Sequence, residues 1–144
     1  MTVATFTEFL RSPKSVVAKT EAGAVRITRR QGRDLVLARA DDMETQDAGV
    51  KLASRIVRAR LGAGSMSDGL ASLFSWTGLL DCSEMERFAE AMERLVWPAT
   101  ELGRYGELLS EFRRWEGTAE AYADGFGPVA ALGWLDEPVD VPRP

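Results

Sequence analysis

A chain of 144 residues, 45% hydrophobic and 28% charged, suits one ordinary domain or a small domain with an arm, and is not composed like a disordered polymer. Histidine is absent and Cys82 is the one cysteine; this excludes Ser-His catalysis, an internal disulfide and cysteine-rich zinc sites. The formal net charge of −4 conceals a bipolar chain: residues 1–40 carry eight Lys/Arg and three Asp/Glu, residues 41–65 four of each, and residues 66–144 six against fifteen.

Val3-Ala4-Thr5-Phe6 is β-prone and reads as a brief strand. Thr7-Glu8-Phe9-Leu10 reads as a first helical turn capped by Thr7, and a helix bends or restarts at Ser12-Pro13. Val16, Val17 and Thr20 give that helix its apolar face, and Gly23 ends it. Val25 and Ile27 alternate with Arg26 and Thr28 as a half-exposed strand, Arg30-Gln31-Gly32-Arg33 is a turn, and Leu35-Val36-Leu37 is a more buried strand. The two strands form an antiparallel hairpin. A lone hairpin is marginal in water, so this head is expected to be an obligate dimer.

Asp41 or Asp42 caps a helix with Val50, Ala53, Ile56, Val57 and Leu61 at helical spacing. Gly62-Ala63-Gly64-Ser65 is the expected linker, which divides the chain into an N-terminal domain, 1–62, and an acidic helical region, 66–144. Leu70, Leu73 and Phe74 make one short amphipathic turn. Ser83 and Glu86 read as a capping box that opens a helix with Met85, Phe88, Ala89, Met92, Leu95 and Val96 on one face, stopped by Pro98. Leu102, Tyr105, Leu108, Leu109, Phe112 and Trp115 form a further stripe, Thr118 caps a last short helix, and Asp136 to Pro144 is expected to fray or lie extended.

No Walker loop, no G-x-G-x-x-G after a strand and no H-E-x-x-H is present, and the carboxylates fall opposite apolar stripes. An enzyme is not expected, and neither is a cofactor or a metal site. Arg11, Lys14, Arg29, Arg30 and Arg33 gather around the first helix and the hairpin turn; they contact phosphates, with a steep salt dependence, or they merely keep a short hairpin soluble. The aromatic residues of the acidic region, all four tryptophans included, also have two readings. They form a private helical core, or they are anchors for a partner's grooves. No run of about 18 apolar residues spans a membrane and no signal-peptide run opens the chain, so a cytoplasmic location is expected.

The run Glu21-Ala22-Gly23-Ala24-Val25-Arg26-Ile27-Thr28-Arg29-Arg30-Gln31-Gly32-Arg33, followed by Leu35-Val36-Leu37, closely resembles the Phd/YefM (prevent-host-death) antitoxins. The strong match covers about residues 3–40, and Asp68 to Phe74 is weakly similar to the family's toxin-facing segment. Aligned on Glu21-Ala22-Gly23, Leu10 stands where many members have an arginine, with Arg11 next to it, and Pro13 replaces a mid-helix residue. The resemblance implies an α+β head, a helix plus an antiparallel β-hairpin that dimerises, followed by an extended all-helical C-terminal region. It implies a type II antitoxin that represses its own operon through operator DNA and neutralises a toxin by direct binding. Arg11, Lys14, Arg29, Arg30 and Arg33 become the DNA-contacting set. Leu70, Leu73, Phe74, Trp76, Phe88, Met92, Leu95, Trp97, Phe112 and Trp115 become the toxin-binding set. The partners are then operator DNA, a second copy of the chain and a cognate toxin, basic and encoded by an adjoining gene. The main alternative is a stand-alone repressor whose helical region is a self-sufficient regulatory domain.

Overall fold

The computed structural model describes residues 1–127. Expectations that rest on Trp134 or on Asp136 to Pro144 lie outside those residues. The chain divides into two compact units, the first Met1–Val50 and the second starting at Lys51.

The first unit is a three-stranded sheet with two short helices. Strand β1 (Thr2–Thr5) pairs in parallel with β2 (Val25–Thr28), and β2 pairs antiparallel with β3 (Leu35–Leu37), in the order β1-β2-β3. The antiparallel hairpin is therefore present, and β1 joins it on the other side of β2. Between β1 and β2 run α1 (Phe6–Arg11), α2 (Pro13–Ala18) and a 3-10 turn over Lys19–Ala22. The cap of α1 is Thr5, whose Oγ1 accepts the Glu8 N–H at 3.0 Å, two residues before the expected Thr7. The helix restarts with Pro13 in its first turn, where a missing N–H costs nothing. Gly23 ends the segment at φ 127, a conformation open to glycine and costly for other residues.

Ala4, Val16 and Val25 form a small core, with Phe9 and Leu37 packed against it. Val17 faces solvent, because a six-residue helix has only one inward line. Strand β3 is exposed rather than buried: Leu35 and Val36 are 44% and 62% exposed, and only Leu37 reaches the core. An edge strand has one neighbour, and this sheet lacks a second layer over that side within the unit. Asp34 closes the turn from both sides, pairing with Arg26 at 3.0 Å and accepting the Arg29 N–H at 3.4 Å.

Helix α3 (Ala40–Ala63) has Asp41 and Asp42 in its first turn and starts in the first unit and ends in the second. It runs on through Gly62, and the break comes at Gly64, φ 83, and Ser65. The division into units falls after Val50, inside α3, instead of at Gly62–Ser65. The reason is packing: Leu52, Ala53 and Ile56 are buried, Arg55 lies over the Phe74 ring, and Arg60 pairs with Glu93 at 3.2 Å. The last half of α3 thus belongs to the helical core.

That core is completed by α4 (Met66–Leu73), a 3-10 turn (Ser75–Leu79), α5 (Cys82–Leu102) and α6 (Gly106–Ala123). The capping box of α5 lies two residues earlier than expected. Asp81 accepts the Glu84 N–H at 2.8 Å, and Glu84 accepts the Asp81 N–H at 2.9 Å. Glu84 is buried and its second oxygen accepts the Tyr122 hydroxyl, which ties α6 to the start of α5. Pro98 does not stop α5; the helix ends at Gly103, φ 65. Proline inside a helix costs about 3 kcal/mol, and burial of Val96 and Ala99 on either side offsets it. Thr118 caps nothing: α6 is continuous, and its Oγ1 donates to the Arg114 carbonyl at 3.0 Å.

Candidate functional site

Of the eight basic residues in the first forty, three are paired with carboxylates: Lys19 with Glu8 at 2.7 Å, Arg26 with Asp34, and Arg39 with both Glu21 and Asp41 at 3.2 Å. The Lys19 ammonium holds the Glu8 carboxyl below its ordinary value, and Asp41 raises the Arg39 guanidinium above its own. The other five are Arg11, Lys14, Arg29, Arg30 and Arg33, the set expected to meet phosphates. All five are exposed and have no ion-pair partner among the described residues. Free cations on a surface are the ones able to exchange counterions for a polyanion.

The geometry gathers part of that set. Arg29 and Arg30 line a cleft of about 670 Å³ with Thr5, Phe6, Thr7, Thr28 and Gln31. The parallel pairing of Thr5 with Thr28 brings the start of α1 beside the hairpin turn. Arg29 lies over the Phe6 ring at 5.5 Å, and the turn behind it needs Gly32, at φ 97, a conformation costly for other residues. Arg11, at the far end of α1, and Lys14, in the first turn of α2, are outside the cleft, as is Arg33. Thr7, Gln31 and Phe6 belong to the cleft without having been expected there. Their signal is the β1–β2 register, which periodicity alone does not contain.

The first unit also exposes large apolar side chains: Val3, Leu10, Val17, Leu35, Val36, Met43 and Val50. A shallow apolar groove of about 450 Å³ runs along Ala24, Ala38, Met43 and Val50, edged by Asp42, Gln46 and Asp47.

The set expected to bind a toxin is divided by the fold. Leu70, Phe74, Phe88, Met92 and Phe112 are buried in the second unit's own core, and Leu73, Trp76, Leu95, Trp97 and Trp115 are half-buried. Phe74, Trp76, Phe88, Phe112 and Trp115 form one aromatic cluster with ring centroids 4.9 to 6.2 Å apart. Such pairs add about 0.5–1.5 kcal/mol each beyond burial. In this structure the five buried residues pack within the second unit's own core. The half-buried tryptophans are pinned as well: Trp97 and Trp115 each donate their indole N–H, at 3.1 Å, to the glutamate one turn earlier, Glu93 and Glu111.

What the second unit presents after α3 is carboxylate. Residues 66–127 hold twelve Asp/Glu against five Arg, and Glu86, Glu90, Glu101, Glu107 and Glu120 are exposed on α5 and α6. No group of acidic residues and cysteine that would hold a metal ion is found among the described residues, and no described helix is long and apolar enough to cross a membrane. Comparison of the chain with protein-family models, with curated proteins and with solved structures finds no match.

Proposed function

We propose that the chain is an antitoxin of the Phd/YefM kind, as its N-terminal sequence resembles, in which a dimer of the first unit binds operator DNA and the second unit docks a cognate toxin. The observation that carries the reading is the separation of the basic residues. Those expected to meet DNA are the five left without carboxylate partners, and two of them share one cleft at the hairpin turn. Doubling the head by two-fold symmetry doubles the free positive charge and sets two half-sites. The exposed apolar residues of β3 and of the first half of α3 supply a surface for that dimer. The toxin then meets a preformed acidic exterior in place of an arm that folds on contact. A basic partner that handles RNA or nucleotides fits this charge, and complementarity speeds its capture.

The aromatic cluster favours one second reading. A unit that fills its own core needs no partner to fold, as a repressor's regulatory domain requires. The deciding experiment is co-expression with the product of the adjoining reading frame, combined with fluorescence anisotropy on DNA from upstream of this gene at 50 and 200 mM salt. The antitoxin reading expects a stable complex with that product and a DNA affinity that falls steeply with salt. DNA binding with no protein partner would leave the repressor; no DNA binding at either salt would remove both.

A further inference from the structure

Asparagine is absent from the chain and glutamine occurs twice, at 31 and 46. Those two residues are the chain's whole stock of side-chain amides. Gln46 lies on α3 in the shallow groove edged by Asp42 and Asp47, a surface that repels a polyanion. Gln31 lies in the β2–β3 turn and lines the cleft with Thr7, Arg29 and Arg30. No carboxylate lines that cleft among the described residues. The two carboxylates nearest to it in sequence are engaged, Glu8 with Lys19 and Asp34 with Arg26. Several of the cleft's other polar groups are also committed. Thr5 Oγ1 accepts the Glu8 N–H, Thr28 Oγ1 donates to the Ala4 carbonyl at 3.4 Å, and the Arg29 guanidinium lies over Phe6. Gln31 is exposed, and its amide has no hydrogen-bond partner among the described residues.

Phosphate contacts position a protein on a duplex, whereas base edges carry the sequence. A free cation suits a phosphate and a guanine edge alike, so Arg30 by itself selects no base. A neutral amide releases no counterion. Its paired acceptor and donor match the N6 amino group and the N7 atom of adenine in the major groove. A two-stranded ribbon such as the β2–β3 hairpin is narrow enough for that groove. We propose that Gln31 is the specificity-determining residue of the cleft, its amide oxygen accepting from N6 and its amide N–H donating to N7 of one adenine in duplex DNA. Arg29 and Arg30 then hold the flanking phosphates. This role rests on the DNA-binding reading, which the antitoxin and the repressor share.

Selection from a pool of random DNA duplexes by the full chain tests it. The wild-type motif should hold an adenine, once per half-site, whose preference disappears in Gln31→Ala while the rest of the motif stays. Replacing that adenine by 7-deazaadenine removes N7 alone. It should weaken binding of the wild type about tenfold and of Gln31→Ala by about twofold at most. Arg30→Ala should instead lose affinity for every duplex and flatten the salt dependence. Circular dichroism checks the fold of each variant, and the 7-deazaadenine measurement on the wild type needs no variant. The same motif from Gln31→Ala as from the wild type, or an equal response of both to 7-deazaadenine, would overturn the role of Gln31 and leave the DNA reading standing. Wild-type binding with no preferred sequence would do the same. Tighter binding to the selected sequence as an RNA duplex would also overturn it, because the major groove of RNA is closed to side chains. Failure of the wild type to bind any duplex at about 50 mM salt would remove the DNA reading and this role with it.

Discussion

The two units solve the problem of burying apolar surface in opposite ways. The first, fifty residues long, buries Ala4, Val16, Val25 and Ile27 and leaves eight large apolar side chains exposed; the second leaves exposed only Leu61, Leu79, Leu102 and Phe126 among its described residues. Each fully buried Phe, Leu or Met contributes about 1.5–3 kcal/mol, and the second unit has many while the first has almost none of that size. Small domains are short of core, and association is one way to complete them. The difference teaches that the first unit leaves much of its apolar surface open, whereas the second covers most of its own.

The comparison breaks first at the aromatic cluster. Phe88→Ala removes a fully buried ring that touches Trp76, Phe112 and Trp115. It should cost about 3–5 kcal/mol in urea unfolding of the second unit, with DNA affinity retained. Loss of both together would mean that the units are one cooperative structure. Next is the charge reversal Arg29→Glu with Arg30→Glu, which should weaken DNA binding by about 100-fold or more at 100 mM salt and leave the circular dichroism spectrum unchanged. A chain that unfolds instead would make these residues part of the fold.

A smaller effect sharpens the packing side. A Cβ at Gly69 would come within 2.9 Å of the Ala59 and Arg60 backbone, so α4 meets α3 too closely for any side chain. Gly69→Ala should lower the urea stability of the second unit by about 1–3 kcal/mol. Asp81→Ala removes the N-cap of α5 and half of its capping box, at about 1 kcal/mol in the same measurement.

The smallest effects are titrations. The hydrogen bond to Glu84 raises the Tyr122 phenol above its ordinary value. A group whose folded value is raised contributes stability that is present below the ordinary phenol range and lost as pH climbs through the folded value. The second unit should therefore weaken at strongly alkaline pH, and Tyr122→Phe should flatten that limb of the stability curve. In the first unit the sign is opposite. Lys19 lowers Glu8, so that contribution is present above the ordinary carboxylate value and lost as pH falls through the folded value.

Much of this fold was legible from local pattern. The hairpin, the end at Gly23, the restart at Pro13 and the inward faces of α5 and α6 follow from alternation, helical spacing and cap chemistry. The failures share a cause, which is tertiary packing that outweighs a local stop. Pro98 and Thr118 read as boundaries, yet Ala99 and Ala119 are buried on the inner faces and carry their helices past them. Ser83 was a plausible cap, but Asp81 has the reciprocal glutamate that reaches Tyr122. Leu35 and Val36 look like core in sequence, and are exposed because nothing within the unit covers β3. In the candidate site the cations themselves were legible, but their freedom from ion pairs was not, since the pairs that silence Lys19, Arg26 and Arg39 span eight or more residues or close across a turn. The aromatic residues were equally suited in sequence to a core and to a partner's grooves, and their mutual contacts were not legible there.

Hydrogen exchange on the isolated chain, without DNA or any partner protein, tests the central claim most directly. The account predicts slow exchange at Phe88, Met92, Val96, Leu108 and Phe112, as a self-finished core requires. Exchange there at the rate of an unfolded chain, slowing only when a partner is added, would contradict it and return those aromatic residues to the role of anchors.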